Sequence, residues 1–208
     1  KEALEMVGIE VTGGVETGDT STSAETLVSH RSQPLSYVIL AMNKWSNNFM
    51  AEQLLRVQGA NGETASTWSA AKDAVSEFLV ADVGFADGTF NIHNGSGLYS
   101  GNEVSAEQFV ELLMFMDEHP NAPEFKASLA IGGVDGTLRN RLDDPGVKGR
   151  DRGKTGTLNE ASALSGYART QSGRLLGFSI LFDDTPRRGW LYRPEQGRIV
   201  EAILGVYL

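Results

Sequence analysis

The sequence predicts an α+β fold with an antiparallel sheet, and three observations carry that prediction. Helical periodicity fills the first half of the chain, two β-prone runs joined by a tight turn come late, and an amphipathic segment closes it. Taken in order, "KEALEMVGIEVTGG" places Ala3, Leu4 and Val7 on the apolar stripe of a helix already under way, followed by a strand over 8–13. The Gly, Ser and Thr content of "ETGDTSTSAET" reads as an exposed loop. In "PLSYVILAMNKWS", Pro34 sits at a helix start and the apolar run is long enough for a buried helix. "NNFMAEQLLRVQG" gathers Phe49, Met50, Leu54 and Leu55 on one helical face, with Gly59 to end it. Between these two helices lies Ser46-Asn47-Asn48.

"TASTWSAAKDAVSEFLVADVG" spaces Trp68, Ala71, Val75 and Leu79 as an amphipathic helix. "GTFNIHNGSGL" reads as a short strand into a glycine-rich turn. Ser105 and Gln108 then form a Ser-x-x-Gln capping box that starts the next helix. After Lys154 the period changes: "ASALSGYART" and "LLGFSILF" are strands, and the "QSGR" between them suits a hairpin. "PEQGRIVEAILGVYL" closes the chain as a helix with Pro194 in its first turn.

The 208 residues carry a net charge of −9, are 40% hydrophobic and 22% charged, and contain no cysteine. Disulfides and thiolate metal sites are therefore excluded. The acidic balance argues against nucleic acid as a partner, since phosphate contacts need clustered Lys and Arg. The richest apolar run, "LSYVILAM", is far short of the ~20 residues that span a bilayer, so no transmembrane segment is expected. A chain that opens inside a helix reads as the later part of something longer.

"GRDRGKTGTL" holds the ending of a phosphate-binding loop, but Gly149 stands one residue too close to Gly153-Lys154-Thr155, and β-prone sequence follows where a helix must begin. The nucleotide reading fails on that context. His30, His93 and His119 show no metal-ligand spacing, and "NGSGL" around Ser96 lacks the glycines of a nucleophile elbow. No metal and no cofactor is expected. Ser69 and Lys72 match Ser-x-x-Lys and share a helical face, although a two-letter match is common by chance.

Two other pieces reinforce each other. Ser46-Asn47-Asn48 sits between helices, and Lys154-Thr155-Gly156-Thr157 opens a strand about a hundred residues later, the order found in serine acyl-transferases. A serine attacking a peptide carbonyl needs its proton taken and passed to the leaving amine, which a hydroxyl and an ammonium on separate elements can relay. The lysine adds positive potential toward a carboxylate, and a glycine lets the strand edge approach a peptide backbone. A threonine after it offers a hydroxyl to the carboxylate and an N–H to an oxyanion.

With "MNKWSNNFMAEQLL", "NGSGL", "GGVDGTLRNRL" and "GKTGTL" in this order, the chain resembles the class C penicillin-binding proteins from about Ala3 to its C-terminus. These are D-alanyl-D-alanine carboxypeptidases that also act as endopeptidases on peptidoglycan cross-links. The resemblance implies the penicillin-recognising fold, an antiparallel sheet flanked by helices plus a helical lobe. Residues 1–208 would form the C-terminal part of one such domain. It implies Ser46, Asn48 and Lys154 as catalytic residues: Ser46 in proton relay, Asn48 also binding the substrate amide, and Lys154 supporting the relay. It implies Thr155, Gly156 and Thr157 as substrate-binding residues, with the two hydroxyls on the terminal D-Ala carboxylate. The expected partners are stem peptides ending in D-Ala-D-Ala and β-lactams, on the extracytoplasmic side.

Asn94 and Tyr99 depart from the family's usual Asp and Ser. The larger departure is the nucleophile. The family carries Ser-x-x-Lys well before Ser-x-Asn, whereas Ser69 and Lys72 follow Ser46, and nothing ahead of Ser46 supplies the motif. We therefore expect the N-terminal part of the same enzyme to carry the nucleophile and this chain alone to be inactive. A nucleophile-less module that only binds muropeptides is the alternative.

Overall fold

The structure, a computed structural model, describes residues 1–14, 16–60 and 66–205. It comprises two compact units, Lys1–Ser32 and Gln33–Leu208. The first holds one short helix, α1 (Glu2–Met6), whose residues are all exposed. The strand expected over 8–13 is not formed. Nothing among the described residues pairs with that segment, and an apolar alternation without a ladder partner stays irregular.

The second unit opens with α2 (Leu35–Trp45) and α3 (Asn48–Gln58), then α4 (Trp68–Phe78) running into a π turn over Leu79–Val83. α5 (Ala106–Glu118) and α6 (Ala122–Ser128) follow. β1 (Ala130–Ile131), a 3-10 turn at Gly136–Leu138, β2 (Asp151–Thr157), β3 (Ser162–Arg169) and β4 (Leu175–Phe182) come next, and a second 3-10 turn leads into α7 (Arg193–Ile203). The expected helix from Thr64 and the last turn beyond Gly205 lie partly outside the described residues.

Local chemistry sets these boundaries. Asn47 and Thr67 cap α3 and α4 by accepting the backbone N–H groups of Met50 and Ala70. The Ser105–Gln108 capping box is formed in both directions. Gly59 ends α3 where a Cβ would meet the backbone N of Ala71 at 2.5 Å, so only glycine lets α3 and α4 approach there. The hairpin between β3 and β4 closes with Thr170 N–H bonded to Arg174 O, and Gly173 takes a φ of 87°.

The sheet is antiparallel throughout, in the order β1-β2-β3-β4. Strand alternation sends Leu164, Ala168 and Phe178 toward α7, where they pack with Leu138, Val200 and Leu204. Tyr167 points the other way, into a cluster with Leu113 and Leu129, and its hydroxyl donates to the Leu113 carbonyl. A helix-flanked α+β sheet is therefore what the chain builds. Leu138 and Leu164 are fully buried, each contributing about 2 kcal/mol of transfer free energy.

Two expectations need correction. α2 is not a buried helix: it packs on α6 by one face, with Asn43 donating to Ser128 Oγ at 2.8 Å, and leaves Leu35, Tyr37 and Trp45 exposed. Lys154-Thr155-Gly156-Thr157 does not open a strand but completes one that starts at Asp151. Nothing in the charged "DRG" announces that Asp151 is buried and begins the strand. α6 and β1 were not anticipated.

Candidate active site

The corner between α2 and α3 is built from three consecutive residues. Ser46 ends α2 in the left-handed region (φ 53°, ψ 52°), Asn47 caps α3, and Asn48 is the first residue of α3. A non-glycine residue held there stores strain on the order of 1 kcal/mol, sustained by the two helices it joins. Opposite stands the second half of β2. β1 pairs only with Arg152 and Gly153, so no strand among the described residues covers the outer edge of β2 from Lys154 to Thr157.

The two-residue period of β2 divides the motif between two faces. Lys154 projects toward the helical side and donates from Nζ to Ser46 Oγ at 2.8 Å and to its neighbour's carbonyl, Thr155 O, at 2.7 Å. Burial holds its pKa down to about 8. Thr155 and Thr157 project to the α7 side. Thr155 Oγ1 donates to Thr137 Oγ1 at 2.9 Å, and Thr157 Oγ1 accepts from Arg193 Nη2 at 3.2 Å. Gly156 lies beside Ala163, where an added Cβ would find only ordinary contact, so the register of β2 on β3 does not demand glycine there.

Ser46, Asn48 and Lys154 line one cavity of about 670 Å³, whose walls include Met42, Leu54 and Phe109. Structure thus brings together three of the residues read from the sequence; Thr155 and Thr157 adjoin them on the same strand.

Other residues hold this arrangement, and the sequence reading gave them no role. Lys44, buried in the last turn of α2, forms a 2.6 Å ion pair with Asp135, whose other oxygen accepts the Ile131 N–H. Gly136 (φ 54°) follows, where a Cβ would stand 2.5 Å from the Lys44 carbonyl. The loop that carries Thr137 is thereby pressed against the turn that carries Ser46. On α3, Glu52 accepts the N–H groups of Gly95 and Ser96 and the Ser96 hydroxyl, fixing the "NGSGL" turn against the cavity. Burial alone would raise the Glu52 pKa, but these donors outweigh it and the net shift is downward. The only sequence signal for the first set was "GGVDGTLRNRL", whose letters do not say what they touch.

The rejected candidates sit elsewhere. Ser69 is exposed on α4 and bonded to Asp73, and neither it nor Lys72 lines the cavity. His119 Nδ1 accepts the Asn121 N–H at the end of α5. Among the described residues no group of three or more His, Cys, Asp and Glu is placed to hold a metal, and no helix is long and apolar enough to cross a membrane.

Comparison with known proteins matches residues 1–190 to the D-Ala-D-Ala carboxypeptidase 3 (S13) family. A D-alanyl-D-alanine carboxypeptidase of Actinomadura sp. strain R39 is 38% identical over 189 residues, which are 87% of this chain and 35% of that protein. The carboxypeptidase DacB of Haemophilus influenzae is 27% identical over 178 residues, 84% of this chain and 37% of that one. The chain therefore spans about a third of the length of these curated relatives. Among solved structures, penicillin-binding protein 4 of Haemophilus influenzae in complex with a β-lactam superposes with a TM-score of 0.81 at 24% identity, over 99% of this chain and 48% of that one. The extended-spectrum β-lactamase TLA-1 shares the fold more distantly, with a TM-score of 0.63 at 14% identity over 82% and 63% of the two chains.

Proposed function

The chain belongs to the D-Ala-D-Ala carboxypeptidase 3 (S13) family, and from that premise we propose that it is the substrate-holding part of a serine-type peptidase acting on peptidoglycan peptides ending in D-Ala-D-Ala. The observation that carries this reading is the 2.8 Å contact between Lys154 Nζ and Ser46 Oγ, which joins two motifs 108 positions apart. Because the ammonium donates to the Ser46 oxygen, the hydroxyl proton of Ser46 stays available for the amine that leaves.

In the proposed reaction a serine outside these 208 residues attacks the carbonyl of the penultimate D-Ala. Its proton passes through the Ser46–Lys154 pair to the departing D-Ala nitrogen, leaving an acyl-enzyme that water hydrolyses. Asn48 binds the substrate amide. The Thr157 hydroxyl, and the Thr155 hydroxyl once it turns from Thr137, take the terminal carboxylate, Gly156 admits the peptide backbone, and the Thr157 N–H serves the oxyanion. A β-lactam would acylate the same serine. The place of work implied is the cell-wall side of the membrane.

Mass spectrometry after treatment with a labelled penicillin tests this. The natural protein containing the upstream Ser-x-x-Lys part is expected to gain one adduct on that serine, and the 208-residue chain alone none. An adduct on Ser69 would overturn the assignment. A natural protein that binds muropeptides but is never acylated would establish the nucleophile-less binding module instead.

A further inference from the structure

Each hydroxyl of the Lys-Thr-Gly-Thr edge has a partner outside the strand, and both partners, Thr137 and Arg193, line a second cavity of about 560 Å³. Arg139 and Arg141 line it too, together with Asp143, Asp144 and Glu201. Arg193 is exposed at the first position of α7 and makes no ion pair among the described residues. It donates one N–H to Thr157 Oγ1, which leaves the hydroxyl hydrogen of Thr157 free to turn outward. An anion accepting that hydrogen would lie within ion-pair reach of the guanidinium.

Three guanidinium groups share this cavity with three carboxylates, so what favours such an anion is the local pairing of Arg193 with Arg141. Arg141 donates to the Arg193 carbonyl and to Gln196 Oε1, so two guanidinium-bearing residues adjoin one another. Burial and then the positive charge of Arg193 bring the Arg141 pKa down to about 10, with Asp151 acting in the opposite sense. Like-charge repulsion of this kind is relieved when a carboxylate arrives. Lys154 is poorly suited to be the sole cation for that carboxylate, because it is engaged with Ser46 and the Thr155 carbonyl.

We propose that Arg193, acting with the Thr157 hydroxyl, is a receptor for the α-carboxylate at the end of the bound peptide. The proposal rests on the reading of the Lys-Thr-Gly-Thr edge as a peptide-carboxylate site and adds to it a permanently charged residue from α7. Guanidinium is matched to carboxylate in shape and stays protonated far above neutral pH.

Calorimetric titration with diacetyl-L-lysyl-D-alanyl-D-alanine, as the free acid and as its C-terminal amide, tests this at pH 7 and pH 9.5. Arg193→Gln is expected to weaken the free acid roughly tenfold and to change the amide by less than about twofold, with Arg193→Lys recovering part of the loss. At pH 9.5 the wild-type preference for acid over amide persists, and in Arg193→Gln it disappears. Equal weakening of acid and amide, or no change in either, overturns the role of Arg193. A wild-type protein that binds acid and amide alike refutes the carboxylate site itself. Unfolding midpoints for both variants within a degree of wild type show that binding, not folding, has been read.

Discussion

Asp151 opens the strand that carries Lys154, is 1% exposed, and has neither carboxyl oxygen hydrogen-bonded among the described residues. Burial raises its pKa from 3.8 to about 7, against partial offsets from its own backbone N–H and then from Arg141. Between those two values the folded protein keeps a proton that the unfolded chain releases. This group therefore favours the folded state most below about pH 4, and its contribution is lost as pH rises through about 7. At 1.36 kcal/mol per pKa unit, the full swing is about 4 kcal/mol, a large share of an ordinary domain's stability. Asp151→Asn cannot ionise, so it removes the swing while keeping nearly the same shape, at a cost of about 1–3 kcal/mol for a buried amide still short of partners. Urea denaturation at pH 5 and pH 8 reads both quantities. Wild type should lose stability between the two pH values, and the variant should be nearly flat and more stable than wild type at pH 8. The same slope in both proteins would refute the burial argument, because the pH dependence would then belong to other groups.

Two further outcomes follow from contacts around the site. Asp135→Ala strands the buried Lys44 ammonium and is expected to cost about 3 kcal/mol, which denaturant unfolding measures; Lys44→Met in the same background should recover part of it, and no recovery would show that the pair is not what holds the loop. Glu52→Gln weakens a carboxylate that serves three donors, at a cost of about 1–2 kcal/mol. Amide hydrogen exchange at Gly95 and Ser96 should accelerate by at least tenfold, and unchanged exchange would mean the turn stands without Glu52.

Much of the architecture was legible because it is local. The capping box at Ser105, the Thr170–Arg174 hairpin and Pro194 at the start of α7 are decided by neighbours within a few positions. The segment 8–13 misled because alternation says what a strand would do but not whether a partner exists. α2 misled in the opposite way, since an apolar run records what could be covered, not what is. At the site, Ser46, Asn48 and Lys154 could be picked out because letters in a fixed order identify a motif. Thr137, Arg193 and Asp135 could not, because their relevance lies in contacts across the fold that leave no spacing to read.

The shortness of β1 has a consequence of its own. Among the described residues, two residues of pairing leave the outer rim of β2 uncovered by any strand only over Lys154–Thr157, about 13 Å at the rise of an extended chain. That stretch works as a ruler. A chain laid alongside it has no more than those four residues with which to exchange backbone bonds.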